Sequence, residues 1–172
     1  AEADAADLDL EFRGTFGSRG ETRRAHGRVQ VDAAATATLG VSAGADVIRE
    51  SGRSTFITAG AAQVPIERGA FAAFAEGRWQ PGDRLSVTAG VRAERITRDA
   101  LAANPSAFSA RPAFDADTIV SVNPKVTAAW TLVPARHPRG ASTRVRVAAG
   151  TGIRPPDAFE IAFTDNPGLA PE

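Results

Sequence analysis

Residues Arg84–Ile96 read RLSVTAGVRAERI. Leu85, Val87, Ala89, Val91 and Ala93 take one parity, while Arg84, Ser86, Thr88, Gly90, Arg92 and Glu94 take the other. A period of two places alternate side chains on opposite faces of a β-strand. Strands of soluble domains usually run about five or six residues. A tilted strand that crosses a bilayer needs about 9–11, which is the length seen here.

The alternation recurs along the chain. Leu8, Leu10, Phe12 and Phe16 oppose Asp9, Glu11, Arg13 and Thr15. Val29, Val31 and Ala33 oppose Arg28, Gln30 and Asp32. Leu39, Val41, Ala43, Ala45 and Val47 oppose Ser42, Gly44, Asp46 and Glu50. Phe71, Ala73, Ala75 and Trp79 oppose Glu76 and Arg78, with Phe74 as an exception. Val122, Val126, Ala128, Trp130 and Leu132 oppose Asn123, Lys125, Thr127 and Thr131. Val145, Val147, Ala149, Thr151 and Ile153 oppose Arg144, Arg146, Gly150, Gly152 and Arg154. The pattern predicts seven antiparallel up-and-down strands and no helix.

Short connections are expected near Ala34–Thr36, at the Pro-Gly turn Gln80–Asp83, and at Pro134–Ala141. Longer ones are expected at Gly17–Ala25, Ser51–Gly69, Asp99–Asp117 and after Arg154. Short turns on one side and long loops on the other are the habit of outer-membrane barrels. Trp79 and Trp130 stand on the apolar parity beside short turns, where an interfacial aromatic girdle belongs. Arg49 and Arg95 break that parity at long-loop ends, within reach of lipid headgroups. A soluble β-sandwich, or another barrel such as a pore or an autotransporter domain, would show a similar alternation.

Composition narrows the chemistry. The chain has 172 residues, with 20 basic and 20 acidic side chains and a formal net charge of zero. That balance predicts no nucleic-acid partner, which would want a basic face. Nineteen Arg against the single Lys125, and 36 Ala, read as the codon bias of a GC-rich genome. Cysteine is absent, and the two histidines, His26 and His137, are too few for a His-based metal centre. Asp115 and Asp117 are spaced as a carboxylate pair but have no third ligand in view. No nucleophile elbow, HExxH or phosphate-binding loop occurs. No catalytic residue, cofactor or metal is expected.

The tail carries a more specific signal. VSVNPKVTAAW contains Asn123, Pro124, Lys125 and Trp130. STRVRVAAGTGIRPP follows with Gly150, Gly152, Ile153, Arg154 and Pro156, then Glu160, Ile161 and Phe163, then Asn166, Pro167, Leu169, Pro171 and Glu172. These spaced motifs resemble the barrel of TonB-dependent outer-membrane receptors. Phe71–Ile96 resembles a hairpin of the same family. The resemblance covers Gly69–Glu172 closely and residues 1–68 as pattern only.

The resemblance implies a 22-stranded barrel closed by a plug domain. Seven strands are about a third of that wall. Residues 1–172 are therefore expected to be a barrel fragment, not closed on its own and without the plug. The implied role is import of a scarce small-molecule nutrient, such as a ferric siderophore, across the bacterial outer membrane. The implied partners are outer-membrane lipid, the plug, the substrate, and TonB acting through a part of the receptor not contained here.

Within that frame Gly150 and Gly152 fall on the lumen side, either for close backbone approach or to clear a passage. Arg154, followed by two prolines, marks the exit into an outer loop and is a pairing candidate for Glu160 or a plug carboxylate. Glu11, Arg13, Asp32, Asp46, Glu76, Arg78, Arg92, Glu94, Lys125, Arg144 and Arg146 are expected on a wet inner wall. Arg92, Glu94 and Arg146, with Phe108 and Arg111 in the outer loops, are the candidate ligand or plug contacts; Phe56 and Phe114 are further loop aromatics.

Overall fold

A computed structural model describes residues 1–13, 17–55, 57–105, 110–133 and 142–154. The alternating segments become strands because their β-branched and small residues pack on a pleated surface and their polar partners face away. The elements are β1 (Glu2–Phe12), β2 (Ser18–Ala34), β3 (Leu39–Ser54), β4 (Thr58–Ala59), β5 (Ala62–Gln63), β6 (Ile66–Trp79), β7 (Leu85–Arg98), β8 (Asp117–Val133) and β9 (Thr143–Gly150). Among the described residues there is no helix.

Seven strands form one antiparallel sheet in the order β1-β2-β3-β6-β7-β8-β9. This is the expected meander, open at β1 and β9. In a bilayer such edges need partner strands, because hydrocarbon supplies nothing for unpaired N–H and C=O groups. β4 and β5 form a separate two-stranded hairpin between β3 and β6. Gly60, at φ +62°, opens its two-residue loop, where a side chain would be strained.

Register fixes which residues share a face. One face carries Val41 opposite Gly77, Ala43 opposite Ala75, Val91 opposite Pro124 and Trp130 opposite Val145. The other carries Asp46 opposite Arg28 and Ala72, Arg92 opposite Asn123, and Lys125 opposite Gly150. The apolar face is called outer below and the polar face inner. Among the described residues, every buried one of the large sheet, namely Asp46, Ser54, Ala72, Ile96 and Ala129, lies on the inner face. The outer face leaves Val31, Phe71, Trp79, Val122, Trp130 and Val147 exposed. A sheet that keeps its charges on one side and leaves a continuous apolar side bare is built for an apolar surrounding on that second side.

The structure corrects three expectations. Gly17–Ala25 is not a long loop: Ser18–Ala25 belongs to β2, so β1 and β2 are joined through residues 13–17 alone. Its charges conceal the strand because they pair sideways, Arg23 Nε with Asp7 Oδ1 at 2.8 Å and Arg19 Nη2 with Asp9 Oδ2 at 3.1 Å. The face assignment of β1 is also reversed. Leu8 and Leu10 lie opposite Thr22 and Gly20 on the inner face, while Glu11 lies opposite Arg19 on the outer one. Arg13 follows Glu11, to which it is bonded at 3.0 Å. Alternation alone gives two faces without saying which is which, and pairing with β2 decides. Finally, Ser51–Gly69 is largely ordered pairing: β3 continues to Ser54, β6 starts at Ile66, and β4–β5 lies between. Within Asp99–Asp117, bridges join Leu101 to Phe114 and Asn104 to Arg111.

The short turns at the opposite end are as expected at residues 35–38 and 80–84. Ala35 N donates to Leu39 O at 2.8 Å, and Gln80 N to Thr38 O at 2.7 Å. The third, Pro134–Ala141, lies outside the described residues, as do Phe16, Phe56 and His137.

Candidate functional site

The inner face carries a connected ladder of charges. Asp46, in the middle of β3, is 5% exposed. Its Oδ2 accepts from Arg92 Nη1 at 2.5 Å. Its Oδ1 stands 3.7 Å from both Arg28 Nε and His26 Nε2. His26 Nδ1 meets Asp4 Oδ1 at 2.9 Å, and Arg92 Nη2 meets Glu94 Oε1 at 3.3 Å. A buried carboxylate is tolerated only with close cationic partners, because desolvation is costly.

Small residues make the crossing possible. Ala72 of β6 lies between Asp46 and Glu94 in the register and is 1% exposed. With only a methyl group there, Arg92 reaches over β6 to β3. Phe74, an aromatic on the inner parity of β6, sits across from Gly44. A side chain at Gly44 would collide with its ring and with Val29 O. Arg28 covers that ring at 4.7 Å, a cation–π contact. Sequence gave no sign of this assembly, because Asp46 and Arg92 stand 46 residues apart.

Further along the same face, Glu50 is shared by Arg24 Nε at 3.6 Å and Arg68 Nε at 3.3 Å. Toward the short turns, Asp32 accepts from Ser42 and Gln30. Arg78, Lys125, Arg144 and Arg146 make no ion pair among the described residues. Arg78, Arg144 and Arg146 instead border a hollow over Thr88 and Thr127.

The strand motifs fall at the β8–β9 seam. Asn123 and Lys125 lie on the inner face, and Asn123 Nδ2 donates to Ser121 Oγ at 3.0 Å. Pro124 lies on the outer face opposite Val91. Its carbonyl accepts from Thr151 N at 3.0 Å, so the N–H that proline lacks would also point toward β9, where the paired strand has just ended. At Gly150 an added Cβ would stand 3.1 Å from Pro124 O, which accounts for glycine as a close backbone approach. Among the described residues nothing lies within 4 Å of a Cβ at Gly152. Arg154 is described and has a partner. Pro156, Glu160, Asn166, Pro167, Leu169, Pro171, Glu172 and Phe108 lie outside the described residues.

The outer loops form a small packed unit. Ile57, Leu101 and Phe114 make its core, with Val64 and Ile66 against them. Arg111 is buried at 4% exposure and donates from Nη2 to Thr58 O at 3.1 Å and Ala102 O at 2.7 Å. Burial holds its guanidinium below the ordinary arginine value, and it remains a cation at neutral pH. Asn104 Nδ2 donates to Thr58 Oγ1 at 2.9 Å. Arg111 thus ties the β7–β8 loop to β4. The sequence marked Arg111 but gave no signal for Asn104.

On the outer face Trp79 and Trp130 are 47% and 59% exposed. Trp79 lies opposite Val87, and Trp130 opposite Leu85, on the two strands flanking β7. Both stand at the short-turn end of an uncharged field of Val, Ala and Leu.

Among the described residues no group of acidic or histidine side chains could hold a metal ion. The sequence matches the family described as TonB dependent receptor-like, beta-barrel, over residues 3–172. Neither a curated protein nor a solved structure matches it. Barrels of this family reside in the bacterial outer membrane, and they are receptors and transporters. With its open seven-stranded meander, its bare apolar outer face and a match over nearly its whole length, the chain belongs to the TonB-dependent receptor-like β-barrel family.

Proposed function

We propose that residues 1–172 form part of the barrel wall of an active importer. The receptor takes up a scarce small-molecule nutrient, a ferric siderophore or a compound of similar chemistry, and TonB supplies the drive through the plug. The observation that carries this reading is the opposition of the two faces within one register. Ion-paired Asp46 and Arg92 line one side, and unpaired apolar side chains line the other.

In this reading Trp79 and Trp130 belong to the girdle at the periplasmic interface. Arg92 and Glu94 belong to the wet wall that faces the plug and the passing substrate. Arg146, with Arg78 and Arg144 beside it, offers free cations to an anionic ligand or a plug carboxylate. The loop unit held by Arg111, with Phe108 in the same loop, contributes to the outer binding surface. The strands of the Asn123-Pro124-Lys125 and Gly150-x-Gly152 motifs supply wall, not chemistry, so no enzymatic step is assigned.

The test is uptake by cells carrying the full-length gene. A panel of labelled ferric siderophores, cobalamin, haem and oligosaccharides is offered to wild-type cells, to a deletion of this gene, and to a strain lacking TonB. Accumulation of one compound that disappears in both mutants supports the reading. Accumulation that needs the gene but not TonB would replace it with a passive pore.

A further inference from the structure

We propose that the outer face carries a docking notch for the phosphate group of an anionic membrane lipid, centred on Gly69. The proposal rests on the reading that this face meets lipid. Gly69 of β6 lies between Arg49 of β3 and Thr97 of β7. One pleat closer to the short turns, Phe71 lies between Val47 and Arg95. With no side chain at Gly69, an open hollow of about 480 Å³ forms over these residues.

The hollow has the polarity of a lipid headgroup with its chains. Arg95 is exposed and makes no ion pair among the described residues. Arg49 is exposed and engages Glu67 Oε2 through Nη2 alone, at 2.9 Å. Thr97 Oγ1 leans over Gly69 with a long 3.4 Å bond to its carbonyl, leaving a donor that can turn outward. Below them Val47 and Phe71 are 55% and 56% exposed and form an apolar slope. The carboxylates of the hollow, Glu67 and Asp99, belong to the next row out, on the far side of the arginines. Cations therefore stand next to the apolar field and anions stand toward water.

The height agrees. Trp130 marks the lower edge of the apolar field, opposite Leu85. Along β7, Leu85 and Arg95 are ten residue steps apart, about 33 Å of strand at roughly 3.3 Å per step. Tilted about 40°, that is about 25 Å of height, the thickness of the apolar band of such barrels. Arg95 and Arg49 thus sit where lipid phosphates are. A soluble anion would use the guanidinium groups but gain nothing from Val47 and Phe71, which favours a phosphate carried on acyl chains.

The test uses the full-length receptor in neutral detergent, with lipid retention read by native mass spectrometry. Phosphatidic acid is titrated, phosphatidylcholine serves as the comparator, and inorganic phosphate as the competitor. Wild type should retain phosphatidic acid in preference to phosphatidylcholine. Arg95→Gln and Arg49→Gln should each weaken retention about fivefold, as should Gly69→Val, which fills the hollow. Arg84→Gln, beside a short turn, should retain the lipid as wild type does. Unchanged retention in Arg95→Gln, an equal loss in Arg84→Gln, or displacement by millimolar inorganic phosphate overturns the notch. Because the Arg95 side chain packs against no core, its variant decides the matter even if Gly69→Val does not fold. Heat-dependent gel mobility of the same samples reports barrel formation separately. A chain that forms no barrel in the membrane refutes the outward-facing reading itself.

Discussion

Arg92 on β7 donates to the buried carboxylate of Asp46 on β3, passing over Ala72 of the intervening strand β6. Three strands are thereby fastened on one face by a single side chain. Without Arg92, Asp46 would keep only Arg28 and His26, each 3.7 Å from Oδ1. Truncating one partner of a buried pair costs about 3–5 kcal/mol. The Arg92 side chain is 34% exposed, so about 2 kcal/mol is the better expectation after solvent screening. Arg92→Ala should lower the heat-unfolding midpoint of the full-length barrel, and Asp46→Ala in that background should recover part of the loss. Independent, additive losses in the double-mutant cycle would show that the pair does not couple.

Ala72 predicts its own sensitivity. At 1% exposure it leaves no room for a longer chain. Ala72→Leu should block the path of Arg92 and destabilise by about 1–3 kcal/mol, the usual cost of overpacking. Ala73→Leu, one residue along and facing outward, should be neutral. Equal unfolding midpoints for the two variants would contradict the path described for Arg92.

Glycines give a matching contrast. A Cβ at Gly44 would run into the carbonyl of Val29 and the ring of Phe74, whereas one at Gly77 would meet nothing within 4 Å. Gly44→Val should prevent folded receptor from accumulating in the outer membrane. Phe74→Leu should not rescue it, because the backbone oxygen remains. Gly77→Ala should accumulate normally. Quantitative blotting of membrane fractions decides between these outcomes.

Much of this fold was legible in the sequence because each strand buries neither face in a protein core. Leu85–Ala93 alternates cleanly since every second residue answers to an apolar surrounding, and the strand positions of β3, β6, β7 and β8 follow from that alone. The phase of β1 was not legible. Leu8 and Leu10 lie beyond the apolar field, where parity no longer reports the surroundings, and only pairing with Thr22 and Gly20 settles their face. Ser18–Ala25 resembles a loop in sequence for a related reason: its charges are satisfied across strands by Asp7 and Asp9. The inner ladder was only half legible. Single residues such as Arg92 could be placed on the wall, but a pair joined through a gap at Ala72 has no local signature.

The loop unit gives a prediction that separates packing from contact with ligand. Arg111 Nη2 holds the carbonyls of Thr58 and Ala102, and its backbone pairs with Asn104. Arg111→Ala would remove the donor shared by the carbonyls of half-buried Thr58 and exposed Ala102, at about 1–3 kcal/mol in all. That is enough to open the loop locally without unfolding the barrel, since loops lie at the low end of the stability range. Arg111→Lys should not restore it, because the lysine side chain is shorter and its ammonium ends short of the position from which Nη2 donates to both oxygens. Proteolysis of intact cells should therefore nick residues 99–116 faster in both variants, with the barrel's heat-unfolding midpoint unchanged. Wild-type resistance in Arg111→Ala would mean that Leu101, Phe114 and Ile57 hold the unit by themselves. Arg111 would then be dispensable to the packing, and contact with ligand would become its stronger assignment.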